Sequence, residues 1–500
     1  MAGPSRDSVI LDGRGLTPAA VGAVARGNAP VRLDDEARAR NRTAATALAD
    51  LLERGESIYG VTTGVGAFRA REVPPDERAG LQLRLLRSHA CGAGRLLPPD
   101  RVRAAMVVRA NQLGAGGAGV SDELIVALVD ALNARFVPVA HELGSLGTGD
   151  LTVLAEIALA VLGEGRAWRA DTPVDAGSAL ADAGLAAPSL GPRDGIAVMS
   201  SNAAAIGHGA LVAAQAGRLL EASLQVAALS FMAAVADPAV LDARVHAARP
   251  HPGQVEVAAR VRELLGPAVT SPGPEAPVHD PYPFRALPQV DGATLDALGA
   301  LDAVLAVELN SASENALIDP VEPAALPTAN FHAGSLALAL GGLRAALAQS
   351  CSLGAARVTA LLDPGLMRLP AALAPAPGPS SGAMIVEYTA HAAAADVRVM
   401  AAPVATQTTT VGGGVESHAS FAPLAARLAE NALESAEVAV ASELVVAVRA
   451  LRMRGLEPSG APAGELFARA ADRLDTDLSD RALNEDIEAA RRLLFEDDAG

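Results

Sequence analysis

Three short segments concentrate residue types able to move a proton, hold a carboxylate and expose backbone amides. The first, Ile58-Tyr-Gly-Val-Thr-Thr-Gly-Val-Gly66, sets Tyr59, one of only three tyrosines, inside a run of glycine and threonine. Such a loop lets backbone approach a ligand closely and leaves a phenol exposed to it, although a purely structural tyrosine fits the same composition. The second runs from Gly144 to Glu156 (GSLGTGDLTVLAE). A glycine-rich turn feeding straight into an apolar helix presents free N–H groups and the positive end of the helix dipole. A plain helix start capped by Thr148 or Asp150 explains those residues as well. The third, His279-Asp-Pro-Tyr-Pro-Phe-Arg285, continues through Pro288-Gln-Val290 and places Tyr282 three residues before Arg285. An arginine on a proline-stiffened loop suits two parallel hydrogen bonds to a carboxylate, and a salt bridge to a nearby acid is the competing use. Ser88-His89, Asn330-Phe331-His332 and Glu416-Ser417-His418 add imidazoles and a carboxylate, each unexceptional alone.

The elements that must carry these residues read as helices. Half of the 500 residues are hydrophobic but only 2% are aromatic, so Ala, Leu and Val supply the core. Ala and Leu form helices with little side-chain entropy to lose. The absence of lysine, with all forty basic residues arginine, matches a GC-rich coding bias that accounts for part of the alanine as well. The stretch from about 210 to 235 is apolar almost all the way round, as expected of a helix buried inside a large helical assembly. Further helices are expected over about 291–320, 333–362, 381–402 and 424–452. Residues 266–290 hold seven prolines and read as an ordered loop or linker. The fold class is therefore all-α, a long central helix bundle with a smaller N-terminal region of helices and loops. Three regions are expected: 1–200 with the tyrosine loop and the glycine turn, 201–455 with the long helices, and a helical tail over 456–500.

The formal charge of −17 argues against nucleic-acid or anionic-membrane partners, because phosphate binding needs clustered cations. Cys91 and Cys351 supply neither a disulfide framework nor a metal ladder, so no metal is expected. The N-terminal segment lacks the charged-then-apolar pattern of a secretory signal. Apolar runs are expected to be interrupted short of membrane-spanning length, which reads as a soluble, cytoplasmic protein with no membrane partner.

In order and spacing the segments resemble the histidine and phenylalanine ammonia-lyase family over roughly residues 8–455. Members carry Tyr-Gly-x-x-Thr-Gly-x-Gly, matched by Tyr59, Gly60, Thr63, Gly64 and Gly66, and Ser-His-Ala-x-Gly, matched by Ser88 to Gly92. Asp-x-Tyr-x-x-Arg-x-x-Pro-Gln-Val is matched from Asp280 to Val290, Asn-Phe-His by Asn330 to His332, and Ser-Gly-x-Met-Ile by Ser381 to Ile385. The late Glu-x-His is Glu416 and His418.

The resemblance implies a histidine-ammonia-lyase-like fold, a homotetramer, and elimination of ammonia from L-histidine or a similar aromatic or imidazole α-amino acid. It implies an electrophilic 4-methylideneimidazole-5-one-type group formed from the backbone of Gly147, Thr148 and Gly149, with Asp150 supporting the loop. Tyr59 takes the role of base, with Tyr282 assisting at the electrophile and Thr148 supplying the reactive carbon. Arg285 holds the substrate carboxylate, and His89, Ser200, Asn202, His279, Phe331 and Glu416 complete the substrate site. Three departures stand out. The family Ala-Ser-Gly-Asp is here Gly147-Thr148-Gly149-Asp150, with the loop ahead of it one residue shorter. The family asparagine after Gly-Leu-Ala is replaced in Gly195-Ile-Ala-Val-Met-Ser200-Ser201-Asn202, where Asn202 lies two residues late on an apparent helix and is expected to point elsewhere unless the backbone shifts. His279 stands where glutamine is usual. Alternative readings are a lyase without the group, resembling ergothionase, an aminomutase, and a non-catalytic helical assembly protein.

Overall fold

The computed structural model describes residues 8–267, 279–376 and 378–496. It separates into two compact units. The first comprises Met1–Ala214, Leu301–Leu340 and Pro403–Arg427, and the second Gln215–Ala300, Gly341–Ala402 and Leu428–Gly500. The helices Ala203–Ala234, Leu287–Glu308, Gly334–Leu362 and Ala422–Arg454 supply residues to both. The fold is helical, as expected, with a few short strands.

In the first unit, helix Pro99–Ala115 buries residues from Val102 to Gly114 on every face. Alanine and valine at those positions let neighbouring helices approach closely, and Pro18–Ala25, Asp35–Glu53 and Asp122–Asn133 pack around it. These start where a side chain accepts the first free N–H groups: Thr17 from Ala20, Asp34 from Glu36 and Ala37, and Ser121 from Leu124. Two-residue to four-residue strands tie the loops. Val9–Leu11 pairs in parallel with Val31–Leu33, and Ala93–Leu96 runs antiparallel to His141–Leu143, which leads into the glycine turn. Arg166–Arg169 sits between Val137–Pro138 and Thr172–Asp175, and Leu317–Asp319 pairs with Ala324–Leu326.

The second unit is built almost wholly from helices. The ion pair of Arg357 and Glu443 lies inside it, with Arg357 Nε 2.7 Å from Glu443 Oε1 and both side chains at most 2% exposed. Ser230 Oγ donates to the same oxygen at 2.7 Å, and Ser350 donates to buried Asp291.

Two expectations need correction. Part of the proline-rich stretch, 268–278, lies outside the described residues, but from Tyr282 onward it is mostly helix. Tyr282–Arg285 forms a short helix after Pro281, and Leu287–Glu308 starts earlier than expected. Proline at the first turn lacks only an N–H that would be unpaired there anyway, so Pro281, Pro283 and Pro288 mark helix starts. The apolar runs are also longer than expected: the helical stretch Asp194–Ala234 and Gly334–Leu362 have the length and apolarity to cross a membrane. Of the most apolar window in the first, 94% is buried by the protein itself, as an all-round apolar helix requires.

Candidate active site

The turn Gly147-Thr148-Gly149-Asp150 joins strand His141–Leu143 to helix Leu151–Val161. Gly147 and Gly149 have φ of +80° and +94°, a left-handed backbone that favours glycine. At Gly147 space matters as much as conformation, because a Cβ there would stand 2.0 Å from Ser420 Oγ. The family alanine does not fit this turn as folded, which gives a physical reason for glycine.

Polar groups converge on the three residues. The Gly147 carbonyl accepts from Ser420 Oγ at 2.8 Å and from Ala333 N–H at 3.3 Å. The Thr148 hydroxyl donates to Glu416 Oε2 at 2.8 Å, and an antiparallel bridge pairs Thr148 with His332. Gly149 N–H donates to Asn202 Oδ1 at 3.1 Å. Asp150 N–H donates to the Ser201 carbonyl at 2.7 Å.

For Asn202 the backbone does shift, so it does not point elsewhere. Residues 200–202 form a break between helices Asp194–Met199 and Ala203–Ala234, so the asparagine points at the turn. Its Nδ2 also donates to the carbonyl of Phe331, fixing which side-chain atom faces Gly149. The break is held from below. Ser200 Oγ accepts from Asn315 N–H at 3.0 Å, and Ser201 Oγ donates to Gln112 Oε1 at 2.6 Å. Gln112 stands beside Arg109, whose guanidinium donates to buried Glu314 at 2.7 Å and to the Ala197 carbonyl at 2.7 Å.

Asp150 stands at the N-cap of helix Leu151–Val161, but its side chain makes no capping hydrogen bond. Its carboxylate instead accepts from Ala205 N–H at 2.7 Å, at the start of helix Ala203–Ala234. Complete burial pushes its pKa up to about 7, against the opposing effect of the donors from Ala205 and Ala204.

Tyr59 is half-buried, and its oxygen accepts from Gly66 N–H at 2.9 Å, closing the loop on itself. The phenolic proton is not used in that bond. Gln82 links this loop to the helix ahead of the break, donating to the Gly60 carbonyl at 2.9 Å and accepting from Ile196 N–H at 2.9 Å. The approach is tight: a Cβ on Gly195 would stand 2.4 Å from the Gln82 carbonyl oxygen. His89 ends helix Arg78–His89, with Nδ1 2.8 Å from the Leu85 carbonyl and 3.1 Å from Ser88 Oγ. Beside the turn, His332 and His418 form an imidazole pair, Nε2 to Nδ1, at 2.9 Å.

The second unit carries His279, Tyr282 and Arg285. Buried Phe284 meets Phe231 edge-on with centroids 6.1 Å apart, anchoring the short helix between them. That leaves Tyr282 67% exposed, with the Arg285 guanidinium 5.6 Å from its ring centroid and Arg285 Nε donating to the Asp280 carbonyl at 3.0 Å.

Among the expected residues, then, the turn gathers Thr148, Asn202, Phe331 through its carbonyl, and Glu416. Tyr59 and His89 are bonded within their own segments of the same unit. Sequence reasoning missed Ser420, Gln82 and Gln112. None has a motif signal of its own, because each acts on atoms distant in sequence.

The profile describing aromatic amino acid lyases matches residues 16–472. A histidine ammonia-lyase of Treponema denticola is 34% identical over 492 residues, covering 98% of this chain and 97% of the relative. The crystal structure of ergothionase from Treponema denticola, solved with desmethyl-ergothioneine sulfonic acid, superposes with a TM-score of 0.93 at 29% identity, covering 98% of each chain. Tyrosine aminomutase from Streptomyces globisporus gives a TM-score of 0.93 at 31% identity, covering 98% of this chain and 97% of its own. With a glycine turn whose Gly147 carbonyl and Gly149 amide each meet a polar partner, and with likeness along its whole length, this chain belongs to the aromatic amino acid lyase family of carbon–nitrogen lyases.

Proposed function

We propose that this protein eliminates ammonia from L-histidine, or a closely similar imidazole-bearing α-amino acid, to give the α,β-unsaturated acid. The observation that carries this reading is the turn at 147–149, where the carbonyl, the hydroxyl and the amide each meet a dedicated partner. The histidine lyase likeness over the full chain supports the substrate class.

The residues present fit a 4-methylideneimidazole-5-one-type group. A β-hydroxyl stands at the middle position, a glycine amide follows it, and the preceding carbonyl already holds two donors. When formed, the group supplies an electrophilic exocyclic carbon for the substrate amine. Its Thr148 origin adds a methyl to that carbon.

In this reading Tyr59 removes the β-proton, with its loop braced by Gln82 against the helix before Asn202. Loss of that proton and departure of the amine leave the new carbon–carbon double bond. Arg285 pairs with the substrate carboxylate through two parallel hydrogen bonds from its terminal nitrogens, and Tyr282 beside it assists departure of the amine. His89 and Glu416 meet the imidazole, Glu416 once the Thr148 hydroxyl that it holds has left as water. Ser200, Asn202, His279 and Phe331 shape the rest of the pocket. We assign the assembly as a cytoplasmic homotetramer whose sites are completed by neighbouring subunits. Helix Met384–Met400 supports this: Ile385, Tyr388 and Val399 are 63%, 66% and 75% exposed, an apolar display that another subunit would cover.

A second reading follows from the likeness to ergothionase and from the threonine: elimination of a better amine leaving group, such as trimethylamine, with Thr148 left unmodified. Incubation with L-histidine should raise near-ultraviolet absorbance from a conjugated imidazole acrylate. Turnover of only the trimethylated substrate by a chain of unmodified mass establishes the second reading instead, and a β-amino acid product identifies an aminomutase.

A further inference from the structure

Ser420 stands out because its contact depends on a residue peculiar to this turn. Its side chain is buried, 4% exposed, and its hydroxyl lies 2.8 Å from the Gly147 carbonyl oxygen. The same oxygen atom of Ser420 would be 2.0 Å from a Cβ at position 147. The serine therefore sits where an alanine side chain would be, and only glycine admits it. Ser420 is itself fixed: its oxygen accepts from Ala422 N–H at 3.3 Å, and the neighbouring Phe421 N–H donates to the Leu146 carbonyl at 2.8 Å. Two donors, Ser420 Oγ and Ala333 N–H, thus face one backbone carbonyl in a buried place.

We infer that Ser420 drives the ring closure of residues 147–149, by polarising the Gly147 carbonyl as the Gly149 nitrogen adds to its carbon. This rests on the reading that the group forms. Two fixed donors on a carbonyl oxygen stabilise the negative charge that grows there when a nucleophile adds. The Gly149 N–C(Gly147) bond forms, and the Gly147 oxygen leaves as water with the amide protons of Gly149 and Thr148. A second water takes the Thr148 hydroxyl and the proton on its Cα, creating the Cα–Cβ double bond. No oxidant is needed. Asn202 on the Gly149 N–H and Glu416 on the Thr148 hydroxyl fix the other two reacting groups. Glycine at 147 then does not mark a failed copy of the family alanine. It makes room for a second donor on the carbonyl at which the ring closes.

The test is intact mass followed over time after a pulse of synthesis, with folding checked by circular dichroism. Wild type should lose the mass of two waters, and Ser420→Ala should close about a hundredfold more slowly. The isosteric Ser420→Cys, a weak donor of nearly the same size, should be intermediate, and it keeps the test alive where Ser420→Ala does not fold. Gly147→Ala, which restores the family residue, should also slow closure, and adding Ser420→Ala to it should cost little more. Wild-type rates in Ser420→Ala or Ser420→Cys overturn the role of the serine while leaving the group in place. A wild-type chain of full unmodified mass overturns both the role and the group, and the absorbance assay with L-histidine then reports separately on whether elimination proceeds.

Discussion

Two buried polar clusters invite comparison: the Arg357–Glu443 pair in the second unit and the turn at 147–150 in the first. In the helical cluster, side chains bond to side chains. Arg357 Nε and Nη2 meet the two oxygens of Glu443 at 2.7 and 3.0 Å, and Ser230 adds a third bond. Burial alone would lower the pKa of Arg357, but the charge and hydrogen bonds of Glu443 hold it above the ordinary value. Around the turn, side chains bond to backbone. Ser420 and Asn202 engage a carbonyl and an amide two residues apart, and two of the three residues 147–149 are left-handed. The first arrangement joins helices; the second presents main-chain atoms in a fixed conformation. Polar burial by itself therefore does not mark a reactive site. What the buried groups are aimed at does.

The comparison breaks if changes near the turn act on stability and changes in the helical cluster act on chemistry. The largest expected effect is at Tyr59. Tyr59→Phe should lower kcat by roughly 10²–10⁴-fold, the usual worth of a positioned base, with little change in melting temperature. A residual rate near wild type would remove Tyr59 from the chemistry. Glu443→Gln should do the opposite. Leaving Arg357 buried without its counter-charge costs about 3–5 kcal/mol, read as a lower denaturation midpoint, while kcat per folded molecule stays unchanged.

Asp150 sits between these extremes, because it is at the turn yet acts through folding. Its folded-state pKa, about 7, lies above the ordinary 3.8, so the folded chain disfavours the ionised form. Full stability is then present below about pH 4 and is lost as pH rises towards 7. Over that interval wild type should lose on the order of 4 kcal/mol relative to Asp150→Asn, which cannot ionise, as measured by chemical denaturation across the pH range. A gap that stays constant with pH would show that burial at this position does not act through ionisation.

Much of this was readable from residue types, and the exceptions have definite causes. Alanine and leucine runs located the long helices because those residues favour helix and pack closely. The tyrosine loop and the glycine turn were visible because glycine density signals unusual backbone. The break at Ser200–Asn202 was not. Gly195-Ile-Ala-Val-Met runs into it and Ala203-Ala-Ala-Ile out of it as one apolar helical pattern, with neither glycine nor proline at the interruption. It is stabilised by Gln112, Asn315 and Asp150, contacts that no local spacing encodes. The prolines at 281, 283 and 288 misled for the opposite reason, since a residue that breaks helices internally also starts them. Ser420 lies two residues past a recognisable histidine, but its partner Gly147 is 273 positions away in sequence.

The smallest effect expected is also the sharpest probe of the turn. Thr148 is 9% exposed, and before dehydration its hydroxyl is held by Glu416. Thr148→Ser keeps the hydroxyl, and with it the loss of two waters, but removes the methyl from the carbon that must accept the amine. If that methyl impedes attack, kcat should rise about tenfold, equivalent to about 1.4 kcal/mol in the barrier, with the mass deficit unchanged. If the pocket has instead been built around the methyl, its removal leaves a gap beside Glu416 and the rate falls. A drop would mean that threonine is part of how this site selects its substrate, and that the turn differs from its relatives in what it accepts more than in how it reacts.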